Sequence, residues 1–565
     1  MHGASRIASW WLLGHLCFTS ASWAQPLPKP DAHLQRQQEQ LDQLRDRHEA
    51  APTLPLRDVR QPDPGLLQDE HPCRTIQHVQ IIADPTIKAA LRPHLAGPRG
   101  DNPPEGRCLG GQGIETLINR LRNRLVELGY ITSTVSAPAQ DLSKGTLQLV
   151  LQLGQVGADN WADSPLSAAR LPMAHRGGAA LNLRDLEQTL ENLRRIPDAE
   201  VKLDIQPGQA DNTSDIAIQF KPVKPLRLSL GLDDAGTRGT GKWQASATAH
   251  WDNPTGNADQ FYINLSPTVA GKQAGPRGST NLVAHYSLPV GYWSIGATVS
   301  RNRYHQTIAG AYQSYVYSGQ SSQAELQLTR VLHRGATSKT QASIKAFARR
   351  SSNFIDDTEV QVQRRRTGGW ELGVSHLAYI GQGVLDLQWS YRRGTGAFGA
   401  MEAPEEHFGE GSARMKLMQL SATWQQPFTL GQTRLRYQGQ WRLQHNMTPL
   451  TPQDKFCAGG RYTVRGFDGE QNACGDRGLL WRNELSAPLH PGGPQMYLAL
   501  DYARLHRSQH QVAQTLAGTA IGLRHGWALW GGHAHIEAFV GTPLKRPQHL
   551  AAAKATAGVQ LHWAY

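Results

Sequence analysis

The sequence predicts a transmembrane β-barrel of about 16 antiparallel strands, preceded by two small α+β modules and an N-terminal helix. Three observations carry this reading. From residue 225 to 565 helical periodicity is absent, and polar and apolar residues alternate segment after segment. Aromatic residues recur near the ends of those segments, at Trp243, Trp251, Trp424 and Tyr565, as an interfacial girdle requires. The polar face is rich in Arg and Gln, which suits a wet lumen and no dry core. A soluble sandwich also alternates, but it closes in roughly 100 residues, and about 340 consecutive residues of β pattern exceed it. Lipid offers the backbone no hydrogen-bond partner, so a spanning sheet must close on itself. At roughly 20 residues per strand and loop, the segment holds about 16 strands.

Composition agrees. The chain has 565 residues, with Lys+Arg 58 against Asp+Glu 46, a net charge of +12. The basic residues are spread among strands rather than gathered in one run, which argues against nucleic acid as a partner. Mean hydropathy is −0.48, and no run of eighteen apolar residues offers a membrane-spanning helix. That excludes a helical membrane protein and leaves a barrel open, because half of each barrel strand is polar.

Taken in order, residues 1–24 read as an export signal. Arg6 precedes the apolar core "IASWWLLGHLCF", and "SWA" ends at Ala24 with small residues at Ser22 and Ala24. Residues 25–50 carry one helix, "DAHLQRQQEQLDQLRDRHEA", with Leu34, Leu41, Leu44 and His48 on a narrow stripe and polar residues elsewhere. Such a helix suits water or a water-filled cavity. Residues 51–72 contain Pro52, Pro55, Pro62, Pro64 and Pro72, and read as an extended linker. The first module, 73–154, opens on the strand "TIQHVQII" and a helical stretch near Pro85–Leu91. In "IETLINRLRNRLVELGY", Ile114, Leu117, Ile118, Leu121, Leu125 and Leu128 share one face, and Gly129 is a natural stop. Two further strands, "YITSTVSAP" and "GTLQLVLQL", complete a β-α-α-β-β order. The order recurs in 155–224. There a weak strand near Val156 is followed by "LNLRDLEQTLENLRRIP", with Leu183, Leu186, Leu190 and Leu193 on one face, and then by "AEVKLDIQPG" and "SDIAIQFKP".

Barrel strands follow from 225. In "LDLQWSYR", Leu385, Leu387, Trp389 and Tyr391 alternate with Asp386, Gln388, Ser390 and Arg392. In "GVQLHWAY", Val559, Leu561, Trp563 and Tyr565 alternate with Gln560, His562 and Ala564. Among them lies a glycine- and charge-bearing stretch, "GGRYTVRGFDGE", which reads as a loop. "GTRGTGKW" nearly spells a nucleotide loop, but Trp243 replaces the required Ser/Thr and strand follows. "HAH" at 533–535 fits alternate-strand histidines in a lumen better than a metal site. No cofactor, metal site or paired catalytic groups can be assembled, so no enzyme is expected. Cys17 would leave with the signal. The other four fall into two local pairs, Cys73/Cys108 and Cys457/Cys474, which an oxidising compartment favours as disulfides, although four cysteines allow three connectivities.

These residues resemble the outer-membrane transporters of two-partner secretion, of the ShlB/FhaC/HecB hemolysin secretion/activation type, a branch of the Omp85 superfamily. "RCLGGQGIETLINRLRNRLVELGY" resembles that family's first POTRA module and "LNLRDLEQTLENLRRIP" its second. "DDAGTRGTGKWQASATAHWDNPTGNADQFYINLS" resembles the first barrel hairpin, and "FCAGGRYTVRGFDGE" carries the superfamily's VRGF motif.

The resemblance implies a loop, about 456–478, folded back into the lumen, bearing Val464, Arg465, Gly466 and Phe467. Arg465 would pair with Asp501 in "LALDYARL", where Ala499 and Ala503 stand in place of the family's aromatic and Gly. The helix in 25–50 would be the pore's plug. The implied activity is export, without ATP, of an unfolded partner exoprotein of large hemolysin, adhesin or toxin type. The partner would bind POTRA 2 over Leu183–Phe220, through Leu183, Leu186, Leu190 and Leu193. Outer-membrane lipid and periplasmic chaperones are the other expected partners; nucleic acid is not. The competing readings are an Omp85-type assembly insertase and a passive porin. An insertase would carry more POTRA modules, and a porin would explain neither the modules nor the VRGF loop.

Overall fold

The computed structural model describes residues 65–565, apart from 98, 163–170, 222–223, 270–274 and 507–512, together with Gln38, Leu41, Gln43, Leu44 and Arg45. The expected export signal (1–24) and most of the expected helix and linker lie outside the described residues.

The first module contains β1 (Arg74–Ile76), β2 (His78–Ile82), α1 (Pro85–Leu91), β3 (Arg107–Leu109), α2 (Gly111–Glu127), β4 (Thr134–Ser136) and β5 (Thr146–Gln152). β2 and β5 pair in parallel and β4 closes the sheet antiparallel to β5. Leu117, Leu121 and Leu125 of α2 are buried against Leu147 and Leu149 of β5, so the apolar stripe faces its own sheet. The single strand expected over 75–82 is broken at Gln77, because its first half turns away to pair with β3. Cys73 and Cys108 are bonded beside that pairing.

The expected linker also ends earlier than residue 72. Leu67 is buried in the module's core, and its amide donates to the Asn102 side chain at 2.7 Å. The N-cap of α2 is Gly110, which has no capping side chain; the Glu70 carboxylate accepts from the amides of Gln112 and Gly113 instead. Prolines predict an extended path here, and tertiary contacts pin it.

The second module repeats the frame with β6 (Gln155–Ala162), α3 (Leu183–Leu193), β7 (Glu200–Pro207) and β8 (Thr213–Lys221). β6 pairs with β8 in parallel and β7 with β8 antiparallel, leaving β7 at one edge. Asn182 caps α3 by accepting from the Arg184 amide at 2.8 Å.

The remaining chain forms a closed barrel of 16 long strands, with one two-residue strand in a loop. The first, Leu226–Asp233, pairs antiparallel with the last, Thr556–Ala564. Leu226, Leu228, Leu230 and Leu232 point outward and are exposed to the bilayer side, whereas Ser229 between them is buried in the interior. Trp243, Trp251 and Tyr565 of the expected girdle are likewise exposed on the outer face. Trp424 is half-buried.

α3 fixes the second module to the barrel. Its leucines face inward: Leu186 and Leu193 are 4% and 0% exposed within the module, and Leu190 packs against the same core. Leu183 is half-buried. The helix thus turns Leu186, Leu190 and Leu193 to its own sheet. Its other face meets the turns at the barrel's module-side rim. Glu191 binds Arg334 and, at 2.7 Å, Lys339; Asn192 donates to the Gly291 carbonyl at 2.8 Å; Tyr292 donates to Asp185.

Candidate functional site

The site is the lumen. Its wall is set by strand alternation, and two segments enter it. The first is the loop 459–470. It rises from a short hairpin, Phe456–Ala458 with Ala473–Gly475, whose strands are joined by Cys457–Cys474. Val464 and Phe467 are buried with Ala458, Ala503, Leu505 and Leu516, all part of one apolar cluster.

Arg465 extends from this cluster to the wall. Its guanidinium donates to both oxygens of Asp501 at 2.8 Å, and its own amide donates to the same carboxylate at 2.9 Å. A third guanidinium nitrogen reaches Glu484 at 2.5 Å, and a fourth bond goes to the Asn483 carbonyl at 3.0 Å. Arg465 is 5% exposed and Asp501 0%. A planar fork is the group that satisfies a buried carboxylate bidentately.

Asp501 lies in the regular strand Gln495–His506, which runs unbroken through Ala499 and Ala503. Ala503 is buried in the same cluster as Val464 and Phe467, so alanine here leaves room for the loop, and Ala499 is buried beside Tyr497, Ala520 and Phe539. Backbone approach does the rest. Gly466 has φ +100° and lies against the backbone of Thr542; a Cβ on Gly518 would stand 2.0 Å from the Arg465 carbonyl.

Sequence reasoning did not single out several neighbours. Arg482 donates to the carbonyls of Tyr462 at 3.1 Å and Arg461 at 3.3 Å. Arg461 pairs with Asp234 at the end of the first barrel strand. Arg524 binds Glu484 and, at 3.2 Å, Glu537, and stacks over the Tyr497 ring at 4.1 Å. Strand parity alone puts Glu484, Arg482 and Arg524 on the lumen face. What parity cannot supply is which of many lumen charges meet.

The second segment is the helix in 25–50. Its described residues are helical, and Leu41 and Leu44 are buried against Tyr262 and Val283 on the lumen face of two neighbouring strands. Arg45 pairs with Glu325 of the wall. Gln43 and Leu44 line a cavity of about 330 Å³ that they share with Arg461, Tyr462 and Phe467 of the loop. Helix and loop therefore occupy one interior space.

The family described as haemolysin secretion/activation protein ShlB/FhaC/HecB matches residues 212–525, more than half of the chain. The chain belongs to this family. A ShlB-type POTRA domain matches residues 101–154 and a POTRA domain 167–207, which lie in the two modules. The outer membrane transporter CdiB-2 of Burkholderia pseudomallei is 30% identical over 99% of both chains. The hemolysin transporter ShlB of Serratia marcescens is 28% identical over 74% of each. The solved structure of CdiB from Acinetobacter baumannii superposes with a TM-score of 0.82 at 26% identity, covering 96% of this chain and all of that one. The protein is thus an outer-membrane transporter of two-partner secretion, its barrel in the outer membrane of a Gram-negative cell and its POTRA modules in the periplasm.

Proposed function

We propose that the POTRA modules take up an unfolded partner exoprotein in the periplasm and that the barrel lumen passes it to the cell surface without ATP. The observation that supports this best is the occupied lumen: the closed cylinder has a polar interior, and two segments of the protein itself fill it. An interior polar enough to stay wet suits an extended polar chain, and a filled one suits a pore that must not leak at rest.

The helix acts as plug and the Arg465–Asp501 contact anchors the loop during transit. Uptake uses β7, whose outer edge pairs with no strand among the described residues. An unpaired edge binds an extended chain through main-chain hydrogen bonds, which grip without strict sequence reading. Ile205 on that edge is exposed, while α3 faces the rim. Net outward motion comes from folding of the partner outside, which is favourable by about 5–15 kcal/mol for a domain. The chain itself performs no catalysis.

The test is export of a partner exoprotein co-expressed with this transporter in a Gram-negative host. Deleting 73–224 is expected to abolish its appearance in the medium while a barrel still reaches the membrane. Undiminished secretion by that variant would remove the receptor role from the modules.

A further inference from the structure

A second charge network lines the barrel wall, and it touches the lumen helix and the turn at the root of the VRGF loop. Glu325, on the strand Ser314–Arg334, is buried and pairs with Arg45 of the lumen helix. Lys345 of the next strand stands 3.9 Å from Glu325 and 3.2 Å from Glu371. Arg392 completes the row, 2.6 Å from Glu371. Two residues beyond Phe347, Arg349 binds Asp454 at 3.1 Å. Phe347 lies beneath the guanidiniums of Arg349 and Arg392, at 5.3 and 5.6 Å, and ties the two limbs together. Asp454 belongs to the turn Pro452–Asp454, immediately before the hairpin strand that carries Cys457 at the root of the VRGF loop. Gln38 of the helix lines a small cavity with Arg349 and with Gln453 of that same turn.

We infer that Glu325 is the wall residue that positions the plug helix, latching it through Arg45, and that the row of charges from Glu325 to Asp454 couples the helix to the root of the VRGF loop. This rests on the plug role proposed above.

The charge balance explains why such a latch can open. Among the described residues, with the helix in place, four cations, Arg45, Lys345, Arg349 and Arg392, face three carboxylates, Glu325, Glu371 and Asp454. When Arg45 leaves, three cations remain for three carboxylates, and Lys345 is already beside Glu325. None of these three carboxylates is left without a cation among the described residues, so release avoids the penalty that an uncompensated buried charge imposes. Among its described residues the helix adds two leucines, Leu41 and Leu44, clustered with Tyr262 and Val283. Because Arg349 touches both the Gln38 cavity and Asp454, movement of the helix changes the surroundings of the loop's root.

The experiment uses the full chain in planar bilayers and reads ionic current at low voltage. Arg45→Gln and Glu325→Gln are each expected to raise the open fraction about tenfold, since each removes one hydrogen bond between charged groups. The double variant is expected to be no leakier than either single one. Unchanged current in both singles, or effects that multiply in the double, would overturn the latch. Arg349→Gln tests the coupling: it is expected to raise the current alone and to add nothing to Glu325→Gln. Multiplied effects there would overturn the coupling to the loop. Circular dichroism of each variant checks that the barrel has formed. The current needs no exported partner, so failed export with a normal latch would count against the receptor role of the modules and not against Glu325.

Discussion

Two ion triads of opposite sense hold other parts of the chain to the barrel. In the lumen a cation, Arg465, stands between two carboxylates, Asp501 and Glu484. On the periplasmic rim a carboxylate, Glu191, stands between two cations, Arg334 and Lys339. Their surroundings differ. The lumen triad is backed by an apolar cluster and by backbone in direct contact at Gly518. The rim triad is backed chiefly by further polar bonds, from Asn192, Tyr292 and Gln188. Loss of Arg465 leaves the fully buried Asp501 with Arg482 at 3.8 Å as its nearest cation, whereas Glu484 keeps Arg524. Loss of Glu191 strands two long-stemmed cations that can reach towards water. The loop is therefore seated to stay and the module is clamped to give way first.

Four substitutions or conditions sharpen this contrast. The largest expected effect is Arg465→Ala, which leaves Asp501 buried without its partner and should weaken the loop's seat by about 3–5 kcal/mol. Loop 459–470 should become sensitive to added protease, and export should fall with it. Glu191→Ala should cost less, about 1–3 kcal/mol, since its partners can relax at the rim. Faster hydrogen exchange in α3, with the barrel unaffected, is the expected readout. Gly518→Ala should unseat the loop by about 1–3 kcal/mol without touching any charge, because its Cβ falls where the Arg465 carbonyl lies. Its effect should not add fully to that of Arg465→Ala, and a double-variant cycle on protease sensitivity checks this.

Acid gives the smallest effect. Burial alone would raise the pKa of Glu191, but the charges of Lys339 and Arg334 outweigh it and hold the carboxyl below its ordinary value. A lowered folded-state pKa means that the stabilisation is complete above the ordinary glutamate range and is lost as pH falls through the lowered value. Asp185 works in the opposite sense: burial raises its pKa, despite the bond from Tyr292, so acid relieves a cost there. The rim clamp should hold at neutral pH and loosen only in strong acid. Hydrogen exchange in α3 measured down a pH series checks the direction, after correction for the intrinsic exchange rate.

The sequence showed the periodic parts of this protein well. Period-2 alternation separates Ser229 from its exposed leucine neighbours, and the stripe Leu186–Leu190–Leu193 marks α3. It showed less where identity depends on a distant partner. Gln188, Glu191 and Asn192 lie off the leucine stripe of α3 and are buried, because their partners at residues 291 and 334–339 are known only once the barrel has closed. Arg465 was legible through its motif. Glu484, Arg482 and Arg524 were visible as lumen-facing charges, but not as its neighbours. Gly518 carries no signal of its own, since a glycine in a strand does not announce which backbone will approach it.

The most direct test of passage through the lumen compares two adjacent residues of one strand. Asn281 faces the interior and is 2% exposed, whereas Leu282 faces lipid and is 40% exposed. A photo-activatable side chain placed at 281 should cross-link to the partner exoprotein during export, and the same group at 282 should not. Cross-links at 282 with none at 281 would contradict passage through the barrel.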